Sequence, residues 1–212
     1  MARCKKGAKR VKLSDEEIKT AALRMMAAAD ASRHVAQQCR RHPTEPDSVE
    51  DIYFTVVPFS LTLLSIEQSL RLVLLLHHSV VRDNTNHNPG ILYRDLRRRS
   101  GTEAGIIPDI ISKLNEVGQD NNLDPFSEKE LKACLQKHDS SYSLARYFEL
   151  DHQAKLSKKG LRFTPREEQI LYCTAWALVL VNTDEMKRRG IGTLQEAPPL
   201  LTIYREYTQN PA

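Results

Sequence analysis

The chain has 212 residues, a formal net charge of +4, 41% hydrophobic residues and 27% charged residues. These values are ordinary for a globular protein, and they exclude a disordered, fibrous or disulfide-dominated chain. Glycine is scarce, with eight residues, and long apolar segments repeat at helical spacing. Both features favour helices over a loop-rich β fold.

The first predicted helix begins at Ser14 and ends before His42. Ser14 caps the first turn, and Glu17, three residues later, completes a capping box. The helix is predicted to end there because His42 precedes Pro43, and a residue before proline disfavours the α region. Residues 1–12 hold six cations and no acid. They predict either a solvated tail or an arm that binds nucleic acid.

A loop over 43–49 leads to a longer helix over about 50–80, with a bend predicted at Pro58. This apolar helix carries Glu67 and Arg71 near its middle, and charges at that depth are costly in a membrane. We therefore expect a core helix and not a membrane span. Because Glu67 and Arg71 are four residues apart, one prediction is that they simply pair with each other.

A polar break over 81–90 separates this helix from a series of shorter ones. The predicted shorter helices span 91–99, 104–117, 127–138 and 140–149, and a charged connection follows over 150–163. The helix over 127–138 is predicted from a cap at Ser127 followed by an acidic first turn.

The last helix begins at Thr164, with Pro165 in its first turn and Glu167 in the capping-box position, and it ends at Gly190. Strand-length alternation is absent, so the sequence predicts an all-α bundle of about six helices. The predicted domain boundaries are a basic disordered tail over 1–12, the bundle over 13–189, and an irregular C-terminal tail over 190–212.

Several classes of chemistry leave no motif in the sequence. The phosphate-binding GxxxxGK[ST] and GxGxxG loops, the HExxH zinc motif and the GxSxG nucleophile motif are all absent. The four cysteines form no CxxC pair, which favours a reducing compartment. The basic start of the chain is not followed by an apolar segment of the kind that a secretory signal has. We expect no metal and no cofactor.

Two segments carry a resemblance to a known family. Residues 65–76 (SIEQSLRLVLLL) form a core helix with a glutamate and an arginine four positions apart, and residues 87–96 (HNPGILYRDL) lead from a histidine into a short helix with leucines. This order resembles the HEPN superfamily of small all-helical domains, and residues 142–148 are similar to a helix of uncharacterised members. The resemblance covers residues 15–180 in outline. It implies an HEPN-like protein of a prokaryotic toxin–antitoxin or defence system.

Many members of that family are metal-independent endoribonucleases, in which an arginine and a nearby histidine pair across a dimer interface. The resemblance implies that Arg82, Asp83 and His87 are catalytic. His87 would transfer a proton at the ribose 2′-hydroxyl, Arg82 would stabilise the phosphate charge, and Asp83 would occupy the polar position after the arginine. Imidazole and guanidinium suit these two roles.

In that family, four to six residues separate the arginine from the histidine, and other pairs in the sequence fit this range. These pairs are Arg71 with His77 or His78, and Arg146 with His152. Spacing alone therefore does not identify a catalytic pair.

Three functions follow as hypotheses: RNA binding or cleavage, a non-catalytic helical module that binds a partner protein through an apolar helix face, and a bundle that binds a small molecule or nucleotide. The expected partners are RNA, an antitoxin or other partner protein, and a second copy of the chain. The expected location is the cytoplasm, with no membrane. The predicted nucleic-acid contacts are Arg94, Arg97, Arg98 and Arg99. These arginines lie at the C-terminal end of a predicted helix, where positive charge also suits the helix dipole, so they have a structural explanation as well.

Overall fold

The computed structural model describes residues 13–39, 49–79, 88–100, 105–137 and 164–192. These residues form six α-helices and no β-strand, which confirms the all-α prediction. The helices are α1 (Asp15–Cys39), α2 (Val49–His78), α3 (Pro89–Ser100), α4 (Ile106–Asp120), α5 (Glu128–Lys137) and α6 (Pro165–Arg188). The predicted tail over 1–12, the helix over 140–149, the connection over 150–163 and most of the C-terminal tail lie outside the described residues.

Three of the helices begin at capping boxes. The sequence predicts the boxes at Ser14 and Thr164, and at Ser127 it predicts a cap with an acidic first turn. In each box, a serine or threonine Oγ accepts a hydrogen bond from the backbone N–H three residues later. The glutamate at that later position accepts one from the backbone N–H of the capping residue. The boxes join Ser14 with Glu17, Ser127 with Glu130, and Thr164 with Glu167, at N···O distances of 2.8–3.3 Å. These bonds determine where α1, α5 and α6 begin.

The end of α6 also matches its prediction. Gly190 has a φ of 66°, and the backbone N–H of Ile191 donates to the carbonyl of Met186 at 2.9 Å. A residue with a Cβ rarely adopts this conformation, so glycine closes the helix without strain. Lys187 and Arg188 in the last turn suit the negative end of the helix dipole.

The central helix is α2, which contacts α1, α3 and α6. It continues through Pro58, and residues 70–76 are all buried because neighbouring helices surround this part. The stretch Pro58–His78 is long and apolar enough to cross a membrane, with a mean hydropathy of 1.5, but 78% of its 18-residue apolar window is buried inside the fold. This burial is typical of the core helix that the sequence predicts.

Two apolar clusters form the core. The larger cluster joins α2, α3, α4, α5 and α6, and the smaller one joins α1, α2 and α6. Since α2 and α6 contribute to both clusters, these two helices hold the bundle together and position the residues at its ends.

The ends of α4 differ from the prediction of 104–117. The helix begins at Ile106, because Gly105 is extended and has no side chain to cap the first turn. It continues to Asp120, where Asn121 closes it. The Asn121 side-chain amide donates to the carbonyl of Val117 at 2.7 Å, so the final turn has a hydrogen-bond partner that periodicity does not reveal.

Candidate functional site: the two-histidine end of the bundle

The C-terminal ends of α2 and α3 meet at one end of the bundle. The last two residues of α2 are His77 and His78, and His78 Nε2 lies within hydrogen-bond distance of Ser100 Oγ, at 3.2 Å. Ser100 is the last residue of α3. We call His77, His78 and Ser100 the two-histidine end.

Burial lowers the pKa of both histidines below that of an exposed imidazole. For His77, removal from water is the main cause, Glu185 opposes it, and Arg189 adds to it. For His78, burial again comes first, followed by the charges of His77 and Arg99. Both imidazoles are therefore neutral at neutral pH, and each has one donor nitrogen and one acceptor nitrogen.

A cleft of about 280 Å³ opens beside His77, between α2, α4 and α6. Its volume is close to the lower limit for pockets that bind small molecules. Ile106 and Val181 supply an apolar part of the lining. The charged side chains that line the cleft are Asp109, Lys113, Asp184, Glu185 and Arg188.

The two cations of the cleft are already paired. Glu185, which is 8% exposed, accepts hydrogen bonds from Arg188 at 2.7 Å and from Arg189 at 2.6 Å. The bond from Arg188 is the main reason why the pKa of Glu185 falls to about 2. Lys113 pairs with Glu116 at 2.8 Å. Lys113 and Glu116 balance each other, whereas two guanidiniums share Glu185, so this group of three side chains keeps a formal charge of +1.

Among the described residues, two carboxylates of the cleft form no close ion pair, although the charge of Asp184 acts on Lys113 and that of Asp109 acts on His77. Asp109 and Asp184 make no hydrogen bond or ion pair within the part of the chain that the structure describes. His77 adds no positive charge, because it is neutral. The cleft therefore carries a net negative charge, which opposes the binding of an RNA phosphate.

The four arginines of α3 divide into two groups. With a rotation of about 100° per residue, Arg94, Arg97 and Arg98 lie on one side of the helix, and Arg99 is turned about 140° from Arg94. Arg94, Arg97 and Arg98 are exposed, and we call them the arginine face. Arg99 is less exposed and pairs with the buried Asp95 at 3.2 Å.

Two members of the arginine face also have ion-pair partners. Arg97 pairs with Glu128 of α5 at 2.8 Å, and Arg98 pairs with Asp95 at 3.0 Å. Within the described residues, Arg94 makes no ion pair. The structure therefore brings Arg94, Arg97 and Arg98 together on one surface, whereas Arg99 has a structural role beside His78.

The predicted catalytic residues Arg82, Asp83 and His87 lie outside the described residues, so their assignment stays a prediction. Their segment follows directly after the two-histidine end in the chain. It leads to Asn88, whose side-chain oxygen accepts a hydrogen bond from the backbone N–H of Ile91 at 3.0 Å and caps α3.

The alternative spacing of Arg71 with His77 or His78 does not form a joint site. Arg71 Nε donates to Glu67 at 2.9 Å, one turn towards the N-terminus and away from both histidines. The prediction that Glu67 and Arg71 pair within the helix is thus confirmed. Arg71 has a structural role in the core, and the two histidines belong to the polar end.

Sequence reasoning missed the cleft, because its residues come from three separate segments. The two adjacent histidines at the end of a long apolar run were the available signal. Asp109 and Asp184 stand far apart in the chain and belong to no recognisable motif. Among the described residues, no group of three or more histidine, cysteine or acidic side chains is placed to hold a metal ion.

The fold and this site define an all-α bundle with one strongly polar end. No family model matches the chain, and no similar curated protein or solved structure was found.

Proposed function

We propose that this chain is an RNA-associated helical-bundle protein whose arginine face contacts phosphates. The supporting observation is that Arg94, Arg97 and Arg98 are exposed on one side of α3. Among the described residues, the three arginines of this face pair with two carboxylates, Asp95 and Glu128, which leaves the face a formal charge of +1; Arg99, which also pairs with Asp95, adds a further positive charge beside it. Such a surface attracts the RNA backbone and releases its counterions.

The ion pairs on this face do not prevent phosphate binding. Arg97 and Arg98 remain substantially exposed, with side-chain exposures of 47% and 74%. Exposed pairs of this kind contribute only about 0–1 kcal/mol. A phosphate that accepts two hydrogen bonds from one guanidinium is a stronger partner. Asp95 keeps its bond to Arg99 when Arg98 turns to the phosphate.

We expect the double variant R94Q R98Q to bind single-stranded RNA more weakly, by a similar factor for every sequence. Each lost phosphate contact removes a released counterion, so the slope of log affinity against log salt should fall by about 1.4 for two contacts. Fluorescence anisotropy with a labelled RNA of mixed sequence, repeated over a salt series, measures this slope.

The matched control is R24Q on α1, which removes one exposed arginine from a different helix. We expect R24Q to keep the wild-type slope. If R94Q R98Q also keeps it, or if wild-type protein does not bind RNA, the arginine face is not an RNA-binding surface.

We further propose that Arg82, Asp83 and His87 give this RNA-associated protein an endoribonuclease activity. In this reaction, His87 removes the proton from a ribose 2′-hydroxyl, the 2′-oxygen attacks the adjacent phosphorus, the bond to the 5′-oxygen breaks, and a water molecule protonates the departing 5′-oxygen. Arg82 stabilises the charge on the phosphorane. We propose that the protein acts as a cytoplasmic homodimer, and that an antitoxin or similar partner protein controls it, as in toxin–antitoxin and defence systems.

We expect H87A to lower the rate of RNA cleavage by roughly 10²–10⁴-fold, the usual contribution of a general acid–base group. The assay uses a labelled RNA with EDTA present, and a 2′,3′-cyclic phosphate product identifies the reaction. The control is H34A, which removes an exposed histidine from α1. Equal cleavage by wild type and H87A, or no cleavage by wild type, rules out the activity but leaves RNA binding as a separate result.

The second candidate function is a non-catalytic module that binds a ligand or a partner. The observation that favours it is the cleft beside His77, because its charge is opposite to that of the arginine face.

A further inference from the structure

The cleft beside His77 has the features of a built pocket. Three helices form its walls, its volume is about 280 Å³, and Ile106 and Val181 are both nearly buried where they line it. An apolar lining with a few polar groups is typical of small-molecule sites. A molecule with a compact hydrocarbon body therefore fits this part of the cleft.

Charge decides which kind of molecule the cleft accepts. Three carboxylates and two cations line the cleft, and Asp109 and Asp184 form no close ion pair in the described residues. We propose that the cleft binds a small organic amine in its protonated form. The ammonium group would donate hydrogen bonds to Asp109 of α4 and Asp184 of α6, and the hydrocarbon body would contact Ile106 and Val181.

His77 supports the same ligand chemistry independently of the carboxylates. It lines the cleft, and its Nε2 is buried with no hydrogen-bond partner among the described residues. A neutral imidazole does not repel an ammonium group, and a buried polar atom without a partner is costly. An anionic ligand would instead meet the carboxylates of Asp109 and Asp184, which repel it.

The test compares three probes of matched shape: cyclohexylamine, which is cationic at neutral pH, neutral cyclohexanol, and anionic cyclohexanecarboxylate. So small a probe is expected to bind with a Kd of about 1 mM, which NMR titration of the full chain measures. We expect cyclohexylamine to shift the backbone amide signals of Ile106, Asp109 and Val181. The alcohol should bind about tenfold more weakly, and the carboxylate should cause no shift there.

The double variant D109N D184N should weaken amine binding by about tenfold or more, because it removes both unpaired charges and keeps the side-chain shapes. The matched control is D120N, which changes an exposed aspartate about 16 Å away along the same helix. D120N should bind the amine like wild type, and so should R94Q R98Q, since the site does not depend on the arginine face.

Three results would overturn the proposal. The first is binding of the carboxylate probe as tightly as the amine, and the second is no amine-induced shift at the cleft. The third is amine binding that survives in D109N D184N at wild-type strength. All three results are independent of RNA binding, so failure of this proposal and failure of the RNA proposal are distinguishable.

Discussion

Replacement of Glu67 by alanine should destabilise the protein by about 3–5 kcal/mol, because one partner of a buried ion pair is lost. Glu67 is 0% exposed and Arg71 is 6% exposed, and Arg71 Nε donates to the Glu67 carboxylate at 2.9 Å. Without this carboxylate, the Arg71 guanidinium stays inside the bundle and loses one charged partner that helps to compensate its removal from water. Urea unfolding followed by circular dichroism measures the loss.

Two further variants separate charge from packing in this pair. The double variant E67M R71M removes both charges and fills a similar volume, so it should be much more stable than E67A. E116A removes the partner of Lys113 in an exposed pair and should cost less than about 1 kcal/mol. If E67A lowers the free energy of unfolding by no more than E116A does, the buried pair does not stabilise the core.

The Glu67–Arg71 pair shows which features a sequence reveals. Both residues lie on one helix, and a separation of four residues places them on the same face whatever the rest of the fold does. The capping boxes at Ser14, Ser127 and Thr164 were predictable for the same reason, since each involves residues three positions apart. Interactions within one or two helical turns can be predicted without knowledge of tertiary packing.

The polar end of the bundle depends on tertiary packing and was not predictable in this way. Asp109 and Asp184 lie beside His77 only because α4 and α6 pack together and α2 ends between them. The sequence also presented Arg97, Arg98 and Arg99 as one basic run. The structure separates Arg99 from the other two, because a helix turns about 100° per residue and one side of α3 faces the core.

Replacement of Phe126 by alanine should destabilise the protein by about 3–5 kcal/mol, the usual cost of removing a buried aromatic ring. Phe126 is 3% exposed, and the Arg166 guanidinium lies 4.1 Å from its ring centroid. Asn115 holds the Phe126 backbone, accepting from its N–H at 2.6 Å and donating to its carbonyl at 3.1 Å. Since these backbone bonds survive the substitution, a cavity remains where the ring was, and urea unfolding measures its cost. Phe126→Leu keeps most of the volume and should cost less than about 1.5 kcal/mol.

Gly118 tests the position of this ring directly. A Cβ at Gly118 would lie 2.8 Å from Phe126 Cε2, so G118A should destabilise the wild-type protein although alanine favours helix more than glycine does. In the F126A background the same methyl group enters the space that the ring has left. The substitution should then cost less or even stabilise α4. The two changes must therefore be non-additive, and the double-mutant cycle measures their coupling. Additive effects would mean that the Phe126 ring does not pack against Gly118 in solution.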